Sequence, residues 1–210
     1  MKVTVIGAGN MGAAFVKQLS LAGHEVRLVA RNQDQAGALA AAHAGVAAVP
    51  AAGAAQGADA VIVATPYEGA VAALQSLGDL QGRVVIDITN PLTADYMGLT
   101  LGHDSSAAEE IARALPGARV VKAFNTLFAQ VIAEGGDFGH GRVAPAFVAG
   151  DDEQAKQTAK ALAQSLGFDV IDAGGLKNAR YLEPLAGLNI YLGYGAGLGT
   201  SIAPTWIRRA

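Results

Sequence analysis

The chain has 210 residues and no cysteine, which excludes disulfides, thiol nucleophiles and zinc–thiolate sites. A net charge of −3 gives no broad attraction to nucleic acid or acidic membranes. With 16% charged and 51% hydrophobic residues, the composition fits one large domain, or one domain with a small companion.

Lys2–Ile6 (KVTVI) is a short β-branched run that ends in glycine, and Asn10 to Leu21 has helical spacing with Phe15 and Leu19 on one face. Gly23 stops that helix. Glu25–Ala30 reads as a second strand and Gln33 to His43 as an alanine-rich helix. Pro50–Gly57 is a low-complexity loop. Ala60–Ala64 is an unbroken apolar strand of the kind buried on both faces of a parallel sheet. A helix over Glu68 to Ser76 leads to the strand Arg83–Ile88, and the pattern then breaks into a loop, Leu92 to Asp104.

Ser105–Leu115 reads as a helix and Arg119–Ala123 as a strand. Ala146–Ala149, Glu153–Leu166 and Asp169–Ile171 form a further strand–helix–strand unit, and a last helix spans Asn178 to Tyr194. Alternating strands and helices predict parallel pairing with right-handed crossovers. The fold class expected is α/β: a doubly wound, mostly parallel Rossmann sheet with a small C-terminal strand–helix extension. Residues 1–145 would be the dinucleotide domain, and 146–210 a C-terminal segment that completes the cleft. Leu188, Ile190, Tyr191, Leu192 and Tyr194 surround most of the last helix, which predicts a buried helix, docked on the sheet or forming a homodimer contact.

Pro184 to Trp206 carries no charge, but its prolines, polar residues and alternate glycines suit a protein surface better than lipid. No membrane partner is expected. Nor does a signal peptide fit, since strand-like residues start at Lys2. The expected location is the cytoplasm. The four histidines lack metal-ligand spacing and read as surface or loop residues, so no metal site is expected. Arg208–Arg209 is the only basic cluster and is too small to imply a nucleic-acid partner.

The chemistry begins at Gly7-Ala8-Gly9-Asn10-Met11-Gly12, a GxGxxG directly after a strand and opening a helix. Gly7 permits the tight turn, Gly9 lets a pyrophosphate approach the backbone, and Gly12 lets helix and strand touch. The helix start offers free N–H groups and a partial positive charge to the anion. At the end of the second strand no carboxylate awaits the ribose hydroxyl of NAD. Arg31 stands there instead, able to grip a 2′-phosphate, with Asn32 as a further donor. NADP(H) is therefore the expected dinucleotide. Ligands in open α/β sheets lie beyond the carboxyl ends of strands, so Ala64-Thr65-Pro66-Tyr67, Thr89-Asn90-Pro91 and Phe124-Asn125-Thr126 should face it. Asp87, inside its strand, reads as structural.

In their order and spacing these motifs resemble the family of F420-dependent NADP oxidoreductases, which includes the NADPH–flavin domain of the STEAP metalloreductases. The resemblance rests on GAGNMG, VARN, ATPYEG, DITNP, VVKAFNT, FVAGDD and DAGGLKNARYLEP, and covers essentially the whole chain. It implies that Ala8 to Gly12 contact pyrophosphate, that Arg31 takes the 2′-phosphate and that Ala64 to Tyr67 line the nicotinamide side. A second redox partner would lie between the sheet and the C-terminal segment, near Asn90–Pro91 and Asn125–Thr126. Two positions depart from the pattern. Gln35 stands where F420-using members often carry lysine, and Phe124-Asn125-Thr126 replaces a turn with histidine and proline, closer to the flavin-using branch.

The expected function is hydride transfer between NADP(H) and a small-molecule acceptor: F420, FMN or FAD. Such rings carry their own chemistry, so the protein supplies stacking, distance and dryness. Tyr67 and the Asn90–Pro91 turn are expected to hold the nicotinamide, and Asn125 and Thr126 to bond the polar edge of the second ring. The alternatives are a small hydroxyacid- or imine-type dehydrogenase, a non-catalytic NADP(H)-sensing module, and a packing protein without a ligand.

Overall fold

The computed structural model describes residues 1–207 and 209, so Arg208 of the basic pair lies outside the described residues. Its strands are β1 (Lys2–Ile6), β2 (Glu25–Val29), β3 (Val46–Ala48), β4 (Ala60–Val63), β5 (Val84–Asp87), β6 (Arg119–Ala123), β7 (Pro145–Gly150) and β8 (Asp169–Gly174). The helices are α1 (Asn10–Leu21), α2 (Gln33–Ala41), α3 (Tyr67–Gln75), α4 (Ala107–Ala114), α5 (Ala129–Glu134), α6 (Glu153–Ser165) and α7 (Ala179–Ile190). All eight strands form one sheet in the order β3-β2-β1-β4-β5-β6-β7-β8.

From β3 to β6 every pairing is parallel, which brings the carboxyl ends of β1, β2, β4, β5 and β6 to one edge. The strand order reverses at β1, the place where open α/β sheets leave a crevice. β7 breaks the expected parallel rule, because it runs antiparallel to β6, with Val121 opposite Gly150 and Ala123 opposite Val148. The cause is α5, which the sequence reading missed. Six residues at about 1.5 Å each cannot carry the chain back across the sheet. The chain therefore stays at the carboxyl edge of β6 and re-enters from there. The short edge strand β3 was also missed; only three residues long, with no buried position, it shows neither strand nor helix periodicity.

The apolar strands bury both faces. One core packs α1, α5 and α6 against the sheet, and Phe15, Phe124 and Phe168 meet edge-to-face there, with centroids 5.2 Å and 6.1 Å apart. The second core packs α3 and α4 on the opposite face. His24 lies in the loop between α1 and β2 but is buried there, and its ring bonds the Met1 amine at 2.9 Å and the Ser165 hydroxyl at 2.8 Å.

The last helix corrects the sequence reading in two ways. It ends at Ile190 and continues as a wider π-type turn over Tyr191–Gly195. It is also not buried all round: Leu182, Glu183, Ala186 and Asn189 face inward, while Tyr181, Leu188, Tyr191 and Tyr194 are exposed. On the inner face Glu183 and Asn189 bond to residues of α4, β6 and the turn after β6, and Leu182 packs against Phe147 and Ala149, which leaves the tyrosines outside.

Phe15→Ala, which empties a fully buried site beside Phe124, is expected to cost about 3–5 kcal/mol of unfolding free energy. Urea denaturation reads this directly, and a loss under about 1 kcal/mol would contradict the packing described.

Candidate active site

Gly7 follows β1 with φ +112, and its N–H donates to the carbonyl of Val29 at 2.8 Å. A Cβ on Gly7 would meet the Ala64 carbonyl oxygen at 2.4 Å, and one on Gly12 would meet the Gly7 carbonyl oxygen at 1.9 Å. Both glycines are needed for α1 to lie this close to β1 and β4. Gly9 differs, because a Cβ there meets nothing within 4 Å. It caps α1 without any side-chain bond, so the first N–H groups of the helix point into open space.

Arg31 and Asn32 follow β2, and both are exposed. The Asn32 side-chain oxygen accepts from the Gln35 N–H at 3.0 Å and so caps α2. Its oxygen is committed, and its amide N–H groups remain as donors. The Gln35 side chain donates to the Ala8 carbonyl at 2.9 Å and ties α2 to the glycine turn. Gln35 thus has a structural job that its polarity alone did not disclose.

The remaining expected residues gather at the carboxyl ends of β4, β5 and β6. Four buried side-chain oxygens there have no hydrogen-bond partner: Thr65 Oγ1, Thr89 Oγ1, Asn125 Oδ1 and Thr126 Oγ1. Buried polar atoms are nearly always paired, so four orphans at one edge mark a place prepared for a polar ligand. Asn90 donates to the Asn125 carbonyl, and Asn125 donates to Asn90 Oδ1 and to the Leu182 carbonyl, each at 2.9 Å. The two asparagines therefore lock the turns together, and the free Oδ1 of Asn125 and the second amide N–H of Asn90 are left to meet a ligand. Pro91 is buried beside them, while Tyr67 and Pro66 open α3. Burial first, and then Glu110, Glu183, Asp87 and Glu68, hold the Tyr67 hydroxyl above its usual range.

Beneath this edge lies a charge network. The fully buried Lys122 ammonium donates to Asp87 Oδ2 at 2.7 Å, to the Thr89 carbonyl at 2.6 Å and to Glu183 Oε1 at 2.8 Å. Asp87 Oδ1 accepts from the Thr89 N–H at 2.8 Å. Glu183, on α7, also accepts from the N–H groups of Ala107 and Ala108 at the start of α4, at 2.9 Å and 3.2 Å. Burial first, with the Asp87 carboxylate adding to it, holds the Glu183 carboxyl above its usual range, and Lys122 and the Ala107 N–H offset only part of that rise. Lys122 and Glu183 were not singled out in the sequence. The signal was there, because a lysine inside the apolar run RVVKA must find a buried partner.

Two broad grooves, of about 990 and 900 Å3, lie elsewhere. The first runs between the 99–105 loop and the start of α7, and the second along β7, β8 and Trp206. Neither is lined by the glycine turn or by any of the four unpaired oxygens, which are the better marker of a site. Among the described residues no group of three or more His, Asp or Glu could hold a metal ion, and no helix is long and apolar enough to cross a membrane.

Residues 2–91 match the family model described as "NADP oxidoreductase coenzyme F420-dependent". The F420-dependent NADP reductase of Methanothermobacter marburgensis is 32% identical over an alignment covering 91% of this chain and 92% of that protein. The rat metalloreductase STEAP3 is 30% identical over 88% of this chain, which spans 36% of the rat protein's length. A crystal structure of a candidate F420-dependent NADP reductase from Arthrobacter sp. FB24 superposes with a TM-score of 0.88 at 32% identity, covering 99% of this chain and 100% of that one.

The glycine turn makes a contrast that thermal melts can read. Gly9→Ala is expected to leave the unfolding midpoint within about 2 °C, while Gly12→Ala lowers it by about 5 °C or more. Equal effects would contradict the close approach of α1.

Proposed function

As the chain belongs to the family of F420-dependent NADP oxidoreductases, we propose that it transfers hydride between NADP(H) and a flavin-like acceptor, either F420 or the flavins FMN and FAD. The observation that carries this reading is the set of four unpaired buried oxygens, which lies on the same sheet edge as an uncapped glycine turn. NADPH supplies the hydride when bound, and a deazaflavin or flavin ring accepts it.

On this reading the N–H groups at Gly9, Asn10, Met11 and Gly12 hold the diphosphate, with Gly7 and Ala8 shaping the turn. Arg31 and the free amide of Asn32 take the 2′-phosphate. Ala64, Thr65, Pro66 and Tyr67 line the nicotinamide, and the Asn90–Pro91 turn backs it. Thr126 and the free oxygen of Asn125 bond a ring edge and shed the cost of lying unpaired. Residues 146–210 close the cleft through α7, whose Asn189 donates to the Thr126 carbonyl at 3.0 Å. The chain works in the cytoplasm, where NADPH is supplied. It also acts as a homodimer through the exposed face of Tyr181, Leu188, Tyr191 and Tyr194, since large apolar side chains at helical spacing are seldom left in water.

The test is calorimetry followed by turnover. Arg31→Ala is expected to weaken NADPH binding by about ten- to a hundredfold and to leave NADH within about twofold. Equal binding of NADPH and NADH by the wild type would overturn the NADP assignment. Wild-type protein should oxidise NADPH with at least one of F420, FMN and FAD. Tight binding without turnover on any of them would favour an NADP(H)-sensing module instead. For the dimer, sedimentation at micromolar protein should give twice the chain mass, and a monomer would remove that part of the reading.

A further inference from the structure

The Lys122 network contains one ammonium and two carboxylates, all nearly inaccessible to solvent. Its hydrogen bonds fix its charge. Lys122 directs its three N–H groups at three acceptors. Both oxygens of Asp87 accept from donors, Thr89 N–H and Lys122. Both oxygens of Glu183 also accept only from donors, namely Ala107 N–H on one and Ala108 N–H with Lys122 on the other. Neither carboxyl faces an acceptor to which a proton could be donated, so each is ionised and the network keeps one net negative charge. Of the neighbouring carboxylates, Glu109 and Glu110 have arginine partners, while Glu68 adds a further negative charge near Tyr67. Arg180 grips Glu109 through two bonds of 2.8 Å, and Arg113 pairs with Glu110. The amides that open α4 offset only part of the remaining charge.

This charge sits directly under the proposed nicotinamide site. It bonds both the N–H and the carbonyl of Thr89, whose hydroxyl is one of the four orphans. Leu182, next to Glu183, accepts from Asn125. After burial and Glu110, Glu183 and Asp87 are among the groups that hold the Tyr67 hydroxyl above its usual range. The nicotinamide ring is cationic when oxidised and neutral when reduced. A fixed negative charge in a low-dielectric floor therefore stabilises one redox form more than the other.

We propose that the buried Asp87–Lys122–Glu183 network makes the site prefer NADP⁺ to NADPH and so biases hydride flow from NADPH towards the acceptor. Glu183 and Asp87 are positioning residues in this scheme, since they act on the ring through the field and touch neither substrate. The inference rests on the dinucleotide reading above, and it adds a direction of flow.

The experiment measures dissociation constants for NADP⁺ and NADPH on wild type, Glu183→Gln and Asp87→Asn, with circular dichroism as a check on folding. Each variant removes one negative charge at nearly constant shape. In either of them NADP⁺ should lose about tenfold in affinity relative to NADPH, the size expected for a charge several ångströms away at the effective dielectric of a protein. The two forms weakening in parallel, or an unchanged ratio in a folded variant, would overturn the proposal and leave the network a purely structural device. Failure of both forms to bind wild type would instead overturn the dinucleotide reading itself, and this proposal with it.

Discussion

The start of α1 can lie against the carboxyl ends of β1 and β4 only because Gly7 and Gly12 have no side chains. A methyl group on either would sit 2.4 Å or 1.9 Å from a backbone carbonyl oxygen, far inside contact distance. Close approach fixes where the helix begins, and therefore where its free N–H groups point. Gln35 adds a second hold by donating to Ala8 from α2, so the turn is braced on two sides. Between these braces Gly9 alone is left with open space. The turn is built for rigidity everywhere except at the point where something must approach it.

Farther along the same edge, order comes from charge rather than from close packing. The Lys122 ammonium joins β5, β6 and α7, and Glu183 extends the link to α4. A buried network of this kind stabilises little on balance, because desolvation offsets the Coulomb attraction. What it does achieve is placement, since Thr89, Asn90 and Asn125 are held by it or by residues beside it. Their unpaired neighbours are then left as a fixed polar surface. Phe124 shows the same compromise in the backbone. It holds φ +59 at the end of β6, a conformation bulky residues avoid, and is kept there by Phe15 and Phe168.

Most of the first half of the fold was legible in the sequence, because period-two and period-3.6 patterns are strong there and the glycines fall at element ends. The N-terminal strands and helices lie within a residue or two of their expected bounds, as α1 and β1 illustrate. The antiparallel turn of β7 was not legible, because it depends on the length of α5, a six-residue helix too short to show a clear period before Gly135 ends it. Nor was the exposed face of α7. Its apolar residues suggested burial on all sides, whereas the inner face is chosen by hydrogen bonds that Glu183 accepts from Ala107 and that Asn189 donates to Thr126, and no local pattern encodes those distant partners. Of the expected site residues, Thr65, Thr89, Asn125 and Thr126 all carry an unpaired buried oxygen at neighbouring strand ends, and strand-end position alone foretold their place on that edge. The partners that hold the group, Lys122 and Glu183, lie 61 positions apart in the chain and meet only in the fold.

The account turns on one physical claim: the orphaned oxygens and the uncapped helix start serve a single ligand that bridges them. A crystal structure of the protein grown with NADPH tests it most directly. The account predicts diphosphate oxygens on the N–H groups that open α1, and the nicotinamide amide hydrogen-bonded to at least one of Thr65, Thr89, Asn125 and Thr126. NADPH bound in either of the outer grooves, with those four oxygens still unpaired, would contradict it.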